Sequence, residues 1–316
     1  MNTPSDVATG SRRDSLDITF VRMPATRRLS WSIRRELWEN RSVTIAPLAV
    51  AAFILFVFLI TIAVASPRRM RTLPTLGPAA QHALVVRPFC SSPGPIMMVT
   101  ILIGIFYALD ALYGERRDRS ILFWKSLPVS DLETVLSKAA IPLAVLPLIG
   151  FALSVATQIV LLLWSTVVLS ASGLDPGRVW AEFHFIQTPL VMLYGTAVFT
   201  LWHAPLYCWL LLVSGWARRM PVLWAALPFV AVGLVERVAF GTTYFGAWMR
   251  DRIMGAMPAA FDYAPPATRG AMPLLDRLDQ IDPVKFAGTP GLWIGLIVAM
   301  AFLAAAVRLR RFREPL

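Results

Sequence analysis

Residues 113–138 read YGERRDRSILFWKSLPVSDLETVLSK, the one dense polar segment lying between two long apolar runs. Glu115, Arg116, Arg117, Asp118 and Arg119 come first, then the apolar and aromatic core Ile121, Leu122, Phe123 and Trp124, then Lys125 and a break at Pro128. Hydrocarbon offers such a segment no partners for its charges, so the pattern predicts a short surface helix followed by a turn. Ser130 and Glu133, three residues apart, have the spacing of a capping box that opens the next helix, which runs through Lys138 into the following apolar stretch. The segment therefore reads as a helical elbow between two membrane spans.

Composition agrees with that reading. Of 316 residues, 57% are hydrophobic and only 16% charged, and the charges collect in a few clusters between long apolar runs, as in a membrane protein. The net charge of +11 does not point to nucleic acid, because Lys and Arg beside membrane spans follow from their preference for the cytoplasmic side. Cys90 and Cys208 lie far apart and predict neither a disulfide framework nor a metal site. No cleavable signal peptide is expected, and the first apolar run is expected to serve as its own insertion signal.

Outward from the elbow, the chain divides into spans and connectors. Residues 1–28, rich in Ser, Thr, Asp and Arg, predict a disordered cytoplasmic tail. Residues 29–43 place Leu29, Ile33, Leu37 and Trp38 at helical spacing, with Arg34, Arg35, Glu36 and Glu39 on other faces, the pattern of an amphipathic interfacial helix or of a cytoplasmic extension of the first span. Six spans are predicted near 44–65, 94–112, 139–170, 188–216, 221–235 and 291–307, giving an all-α transmembrane domain over 44–308 with a short tail at 309–316. The third run exceeds the required length and carries Pro142 and Pro147, so it should be kinked, tilted or extended. Residues 66–93, with Pro67, Pro74 and Pro88, read as a loop. Residues 241–290 predict small helices on the opposite surface, and Glu236 and Arg237 read as the end of a span.

Lys and Arg count orients the chain. The set made of the N-terminus, the elbow, the turn at Arg218 and Arg219 and the C-terminus holds nineteen; the alternate set holds ten. Both termini and the elbow are thus expected in the cytoplasm.

This arrangement resembles the permease subunits of ABC-2 type ABC transporters. The likeness is carried by Glu115-Arg116-Arg117-Asp118-Arg119-Ser120-Ile121-Leu122, by the Leu127-Pro128-Val129-Ser130 break and by Lys138 at the head of the third span, which look like that family's coupling-helix region. Many members have a glycine-threonine pair where this chain has Arg119-Ser120. The resemblance implies a bacterial cytoplasmic (inner) membrane and a pairing with a second permease chain, the same or related. It also implies two copies of a separate ATPase docked on the elbow through Glu115, Arg116, Arg117, Asp118, Arg119, Ile121, Phe123 and Trp124. ATP and Mg would be bound by that partner and no cofactor by this chain. Read from the residues alone, Phe123 and Trp124 on a cytoplasmic surface call for either a covering partner or a seat among lipid headgroups.

The remaining candidates are weaker. The chain has no phosphate-binding Gly-x-x-x-x-Gly-Lys-Ser/Thr loop, no His-Glu-x-x-His and no nucleophile elbow, so it is not expected to be an enzyme. Three scattered histidines, His82, His184 and His203, are not expected to build a metal site. Trp202, His203 and Tyr207 in the fourth span and Gln158 in the third are candidates for a substrate path. For His203 the competing role is a bond to carbonyls freed by Pro205, and for Gln158 it is helix-to-helix bonding. Asp110 is either an ion-coupling carboxylate, as in a secondary transporter, or a residue that reaches the interface or pairs with Arg116.

Overall fold

The computed structural model describes residues 24–118, 120, 130–263 and 273–312. Arg119, Ile121, Phe123 and Trp124, and most of the two expected tails, lie outside the described residues. Among the described residues there is no β-strand, only an isolated bridge between Phe261 and Ile281.

Among the described residues six helical segments are long and apolar enough to cross a membrane, which makes the chain a multi-pass all-α membrane protein. The N-terminal helix α1 (Ala25–Glu39) precedes α2 (Ser42–Thr72). After α3 (Pro78–Ser91) come α4 (Pro93–Asp110) and the one-turn helix α5 (Tyr113–Arg117). Beyond the elbow, α6 (Asp131–Ala140) continues through a π turn (Ile141–Val145) into α7 (Leu146–Ala171). The short α8 (Gly177–Glu182) leads to α9 (Gln187–Trp216) and α10 (Pro221–Phe240). The connector to the last span holds α11 (Tyr244–Met254), α12 (Ala256–Ala260) and α13 (Pro283–Gly288), and α14 (Pro290–Phe312) closes the fold.

The central element is α9, the most buried of the spans, whereas α10 lies at the periphery. It packs along α14 on one side and α4 on another, while α7 packs on α2 and α4. Close approach depends on missing side chains. A Cβ on Gly104 of α4 would sit 3.1 Å from the Tyr207 ring of α9, and one on Gly150 of α7 would sit 3.1 Å from Thr100 of α4. Small residues let membrane helices approach this closely, and dispersion then holds them.

Three expectations are corrected. Residues 66–93 are mostly helical rather than a loop: Pro67 and Pro88 are accommodated inside α2 and α3, and the other prolines fall at helix starts. Pro78 starts α3, and Pro93 and Pro95 lie in the first turn of α4, where no N–H donor is needed. Pro67 lies near the end of α2, whose 31 residues run about 46 Å and so pass beyond a hydrocarbon core of about 30 Å. Helix α1 begins at Ala25 rather than 29, and Arg28 in its first turns is paired with Glu133 of α6 at 3.0 Å. Span five continues past Glu236 to Phe240, and Glu236 takes up the N–H groups of Tyr244 and Phe245 and the Thr242 hydroxyl, satisfying the donors at the start of α11.

The long third run behaves as its prolines demand. Residues Asp131–Ala171 would run about 60 Å as one helix, twice the hydrocarbon thickness. The run is broken by the π turn around Pro142, where the Leu146 N–H reaches the Ile141 carbonyl five residues back. At its start the capping box is present: Ser130 Oγ accepts from the Glu133 N–H and the Glu133 carboxylate accepts from the Ser130 N–H, both at 3.1 Å. Ser130→Ala is expected to lower stability by about 1 kcal/mol, read as a lower thermal midpoint in detergent.

The elbow end of the bundle is held by a cluster centred on Tyr107, Ala139, Ile141, Tyr207 and Leu211, onto which Ile33 and Leu37 of α1 pack. At the far end a second cluster joins Ile62, Val86 and Phe89 to Leu161, Val179 and Phe183. A third seats the connector, through Ala260, Phe261 and Phe286, on Val191, Val198 and Trp202 of α9.

Candidate functional site

The first half of the elbow faces inward as much as outward. Helix α5 follows α4 after a two-residue turn, and Ser214 near the end of α9 accepts the backbone N–H groups of Leu112 and Tyr113 at 2.9 and 2.8 Å. Arg116, 5% exposed, donates to the carbonyls of Gly215 and Ala217 at 2.8 and 3.2 Å. Those carbonyls belong to the end of α9, where a helix leaves its last acceptors unfilled and a cation complements its dipole. The elbow is thus fastened to the central helix.

Glu115 also turns inward. Its carboxylate pairs with Arg310 of α14 and lies 3.1 Å from Lys138 of α6. Lys138, 3% exposed, also lies 3.0 Å from both carboxylate oxygens of Glu36 on α1, which is fully buried. The Tyr107 hydroxyl of α4 donates to Glu36 at 2.9 Å, Arg35 donates to it at 3.0 Å, and Arg310 reaches Asp131 at 3.2 Å. The result is a chain of alternating sign, Arg35, Glu36, Lys138, Glu115, Arg310 and Asp131, with three acids and three bases. Each interior member sits between two opposite charges, which offsets the penalty of taking it out of water. Five elements, α1, α4, α5, α6 and α14, meet in it.

This divides the expected docking residues. Glu115 and Arg116 are committed to contacts within the chain. Arg117 and Asp118 are exposed and paired with each other at 3.0 Å, which leaves them on the outer surface. Asp110 is exposed at the end of α4, and Arg116 bonds to the end of α9.

Glu36 was expected on a polar face, yet it falls three residues after Ile33 on the stripe that α1 buries. Trp38 was expected with the apolar set and is instead 70% exposed, as suits a ring at a membrane interface. The signal that finds Glu36 is its spacing: Ser32, Ile33 and Glu36 share one helical face. Arg310 carries the same signal, standing four residues after Ala306 and seven after Leu303 along the buried face of α14.

Each of the four substrate-path candidates is bonded to or packed against a neighbouring element. Trp202 donates to the Arg252 carbonyl at 2.8 Å, and the Arg252 guanidinium lies 4.7 Å above its ring. His203 is in hydrogen-bond contact with the carbonyls of Phe199 and Ile253 at 2.9 and 3.0 Å and stacks on Phe199. These two residues tie α11 to α9. Tyr207 packs against Gly104, and Gln158, 2% exposed, donates to the Phe89 carbonyl at 3.4 Å. All four are buried groups that join neighbouring elements.

Two of the three histidines, widely separated in sequence, meet. The rings of His82 and His184 lie 5.8 Å apart, beside Asp276, at the end of the bundle remote from the elbow. They come to one place because α3 and α8 pack together, a contact that their separation in the sequence does not announce.

Compared with protein-family models, with characterised proteins and with solved structures, the chain matches none.

Proposed function

We propose that this protein is the membrane-spanning permease subunit of an ATP-driven exporter of the ABC-2 type. Two such chains, or this chain and a related one, would enclose the pathway in a bacterial cytoplasmic membrane with both termini inside. Two ATPase subunits, which bind ATP and Mg, would dock on the elbow. Closure of those subunits would push on the elbow and switch the cavity from inward-facing to outward-facing as a rigid-body transition. The substrate would be a hydrophobic or amphipathic compound or an ion.

One observation carries the reading. The start of the elbow is fastened to the central helix through Ser214 and Arg116, and to α1, α6 and α14 through the alternating charges, so a push at its surface acts on packed helices together. A surface loop with no mechanical duty does not require such anchoring. The docking face then narrows to Arg117 and Asp118 together with the aromatic stretch through Trp124, since Glu115 and Arg116 are occupied within the chain.

The test is capture of the chain from its native membrane in mild detergent. A soluble ATPase bearing a phosphate-binding loop is expected to copurify, and the substitution of Trp124 by Ala together with Arg117→Ala and Asp118→Ala is expected to remove it. Recovery of the chain without an ATPase, with ion flux that persists without ATP, would instead favour a secondary transporter or channel.

A further inference from the structure

At the end of the bundle opposite the elbow, four side chains from three separate segments meet: His82 of α3, Glu182 of α8, His184 just after it, and Asp276 of the connector before α13. We propose that His82, His184 and Asp276 form a binding site for a borderline divalent cation of the Zn2+ class, with Glu182 as the positioning residue for His82. The inference does not depend on the exporter reading.

The geometry suits such an ion. One ligand atom from each of the three lies within 4.8 Å of the others. The Asp276 carboxylate oxygen is 2.8 Å from His82 Nε2 and 3.8 Å from His184 Nδ1. Bonds of about 2.0–2.1 Å in a tetrahedral shell place neighbouring ligand atoms about 3.3 Å apart, between those two distances. Small side-chain shifts are enough to close the shell.

The surroundings suit it as well. His82 Nδ1 lies 2.6 Å from the Glu182 carboxylate, so with an ion on Nε2 the Nδ1–H would donate to Glu182. A carboxylate behind a histidine in this way fixes its tautomer and raises its basicity toward a metal. His184 Nδ1 is buried and has no hydrogen-bond partner among the described residues, although a polar nitrogen out of water normally has one. Asp276 is 1% exposed, and a carboxylate so enclosed needs a positive counterpart. Two imidazoles and one carboxylate select Zn2+ over Mg2+ or Ca2+, which prefer all-oxygen shells. The fourth position is left for water. An ion held here would fasten the connector to α3 and to the segment between the third and fourth spans.

The experiment uses the full chain in nanodiscs, stripped with chelator and titrated with ZnCl2, with bound metal measured after gel filtration and the thermal midpoint recorded. Expected are one Zn2+ per chain, a raised midpoint that chelator reverses, and no comparable shift with Mg2+ or Ca2+. His82→Gln and His184→Gln are each expected to abolish the stoichiometric ion, while Glu182→Gln weakens it by roughly tenfold, the scale of a lost outer-shell bond. The proposal fails if folded wild-type protein retains no Zn2+. It also fails if both histidine variants, eluting from gel filtration as the wild type does, retain the same stoichiometry.

Discussion

Lys138→Met is expected to destabilise the bundle by about 3–5 kcal/mol, the scale of a buried charge pair broken from one side. The ammonium lies 3.0 Å from both oxygens of Glu36 and 3.1 Å from Glu115, and the three side chains are almost entirely out of water. Methionine fills the same volume but brings no charge, so two buried carboxylates face each other across an apolar side chain. Arg35 and Arg310 still hold one carboxylate each, which places the loss toward the lower end of that range. A double-mutant cycle separates the charge effect from packing. Combined with Glu36→Gln, the lysine substitution no longer strands a carboxylate on α1, and the pair should recover roughly 1–3 kcal/mol relative to the sum of the single losses. The measurement is the unfolding midpoint of purified protein in detergent, followed by circular dichroism. Single variants that melt with the wild type, or losses that simply add, would show that the alternating charges do not hold α1, α6 and the elbow together.

The sequence carried the spans and left out most of what joins them. Apolar runs such as residues 44–65 announce membrane helices directly, since length and the absence of charge are local properties. Helix ends were less legible, because α2 and α10 continue as helices beyond the most apolar stretch, where hydropathy no longer reports on them. The capping box at Ser130 was legible because its two partners are three positions apart. By contrast, Glu36 meets Tyr107 across 71 positions and Lys138 across 102, and Arg310 meets Glu115 across 195. Composition offered the charge of Arg310 a simpler role as one of the basic residues following a span, and only its place on the buried face of α14 argues otherwise. The same limit hid the cluster at the far end, where His82 and Asp276 are 194 positions apart.

Arg116→Ala is expected to separate docking from transmission. Arg116 is buried against the carbonyls of Gly215 and Ala217, whereas the neighbouring Arg117 and Asp118 are exposed. If the elbow takes the push of an ATPase, Arg116 is the link that delivers it to the central helix. The alanine variant should therefore still capture the partner, because the outer face is unchanged, while ATP-driven transport falls by roughly 5- to 150-fold, the range of a coupling energy of 1–3 kcal/mol. Arg117→Ala with Asp118→Ala should act the opposite way, weakening capture first and transport in proportion. Removing Arg116 also leaves carbonyls at the end of α9 without their donor, a local loss of about 1–3 kcal/mol, so transport is compared at a temperature where the variant remains folded. Two results decide the matter. Transport equal to wild type would mean that force does not pass through Arg116. Loss of capture together with transport would place Arg116 in the docking surface after all, and its bonds to Gly215 and Ala217 would then have to open when the partner binds.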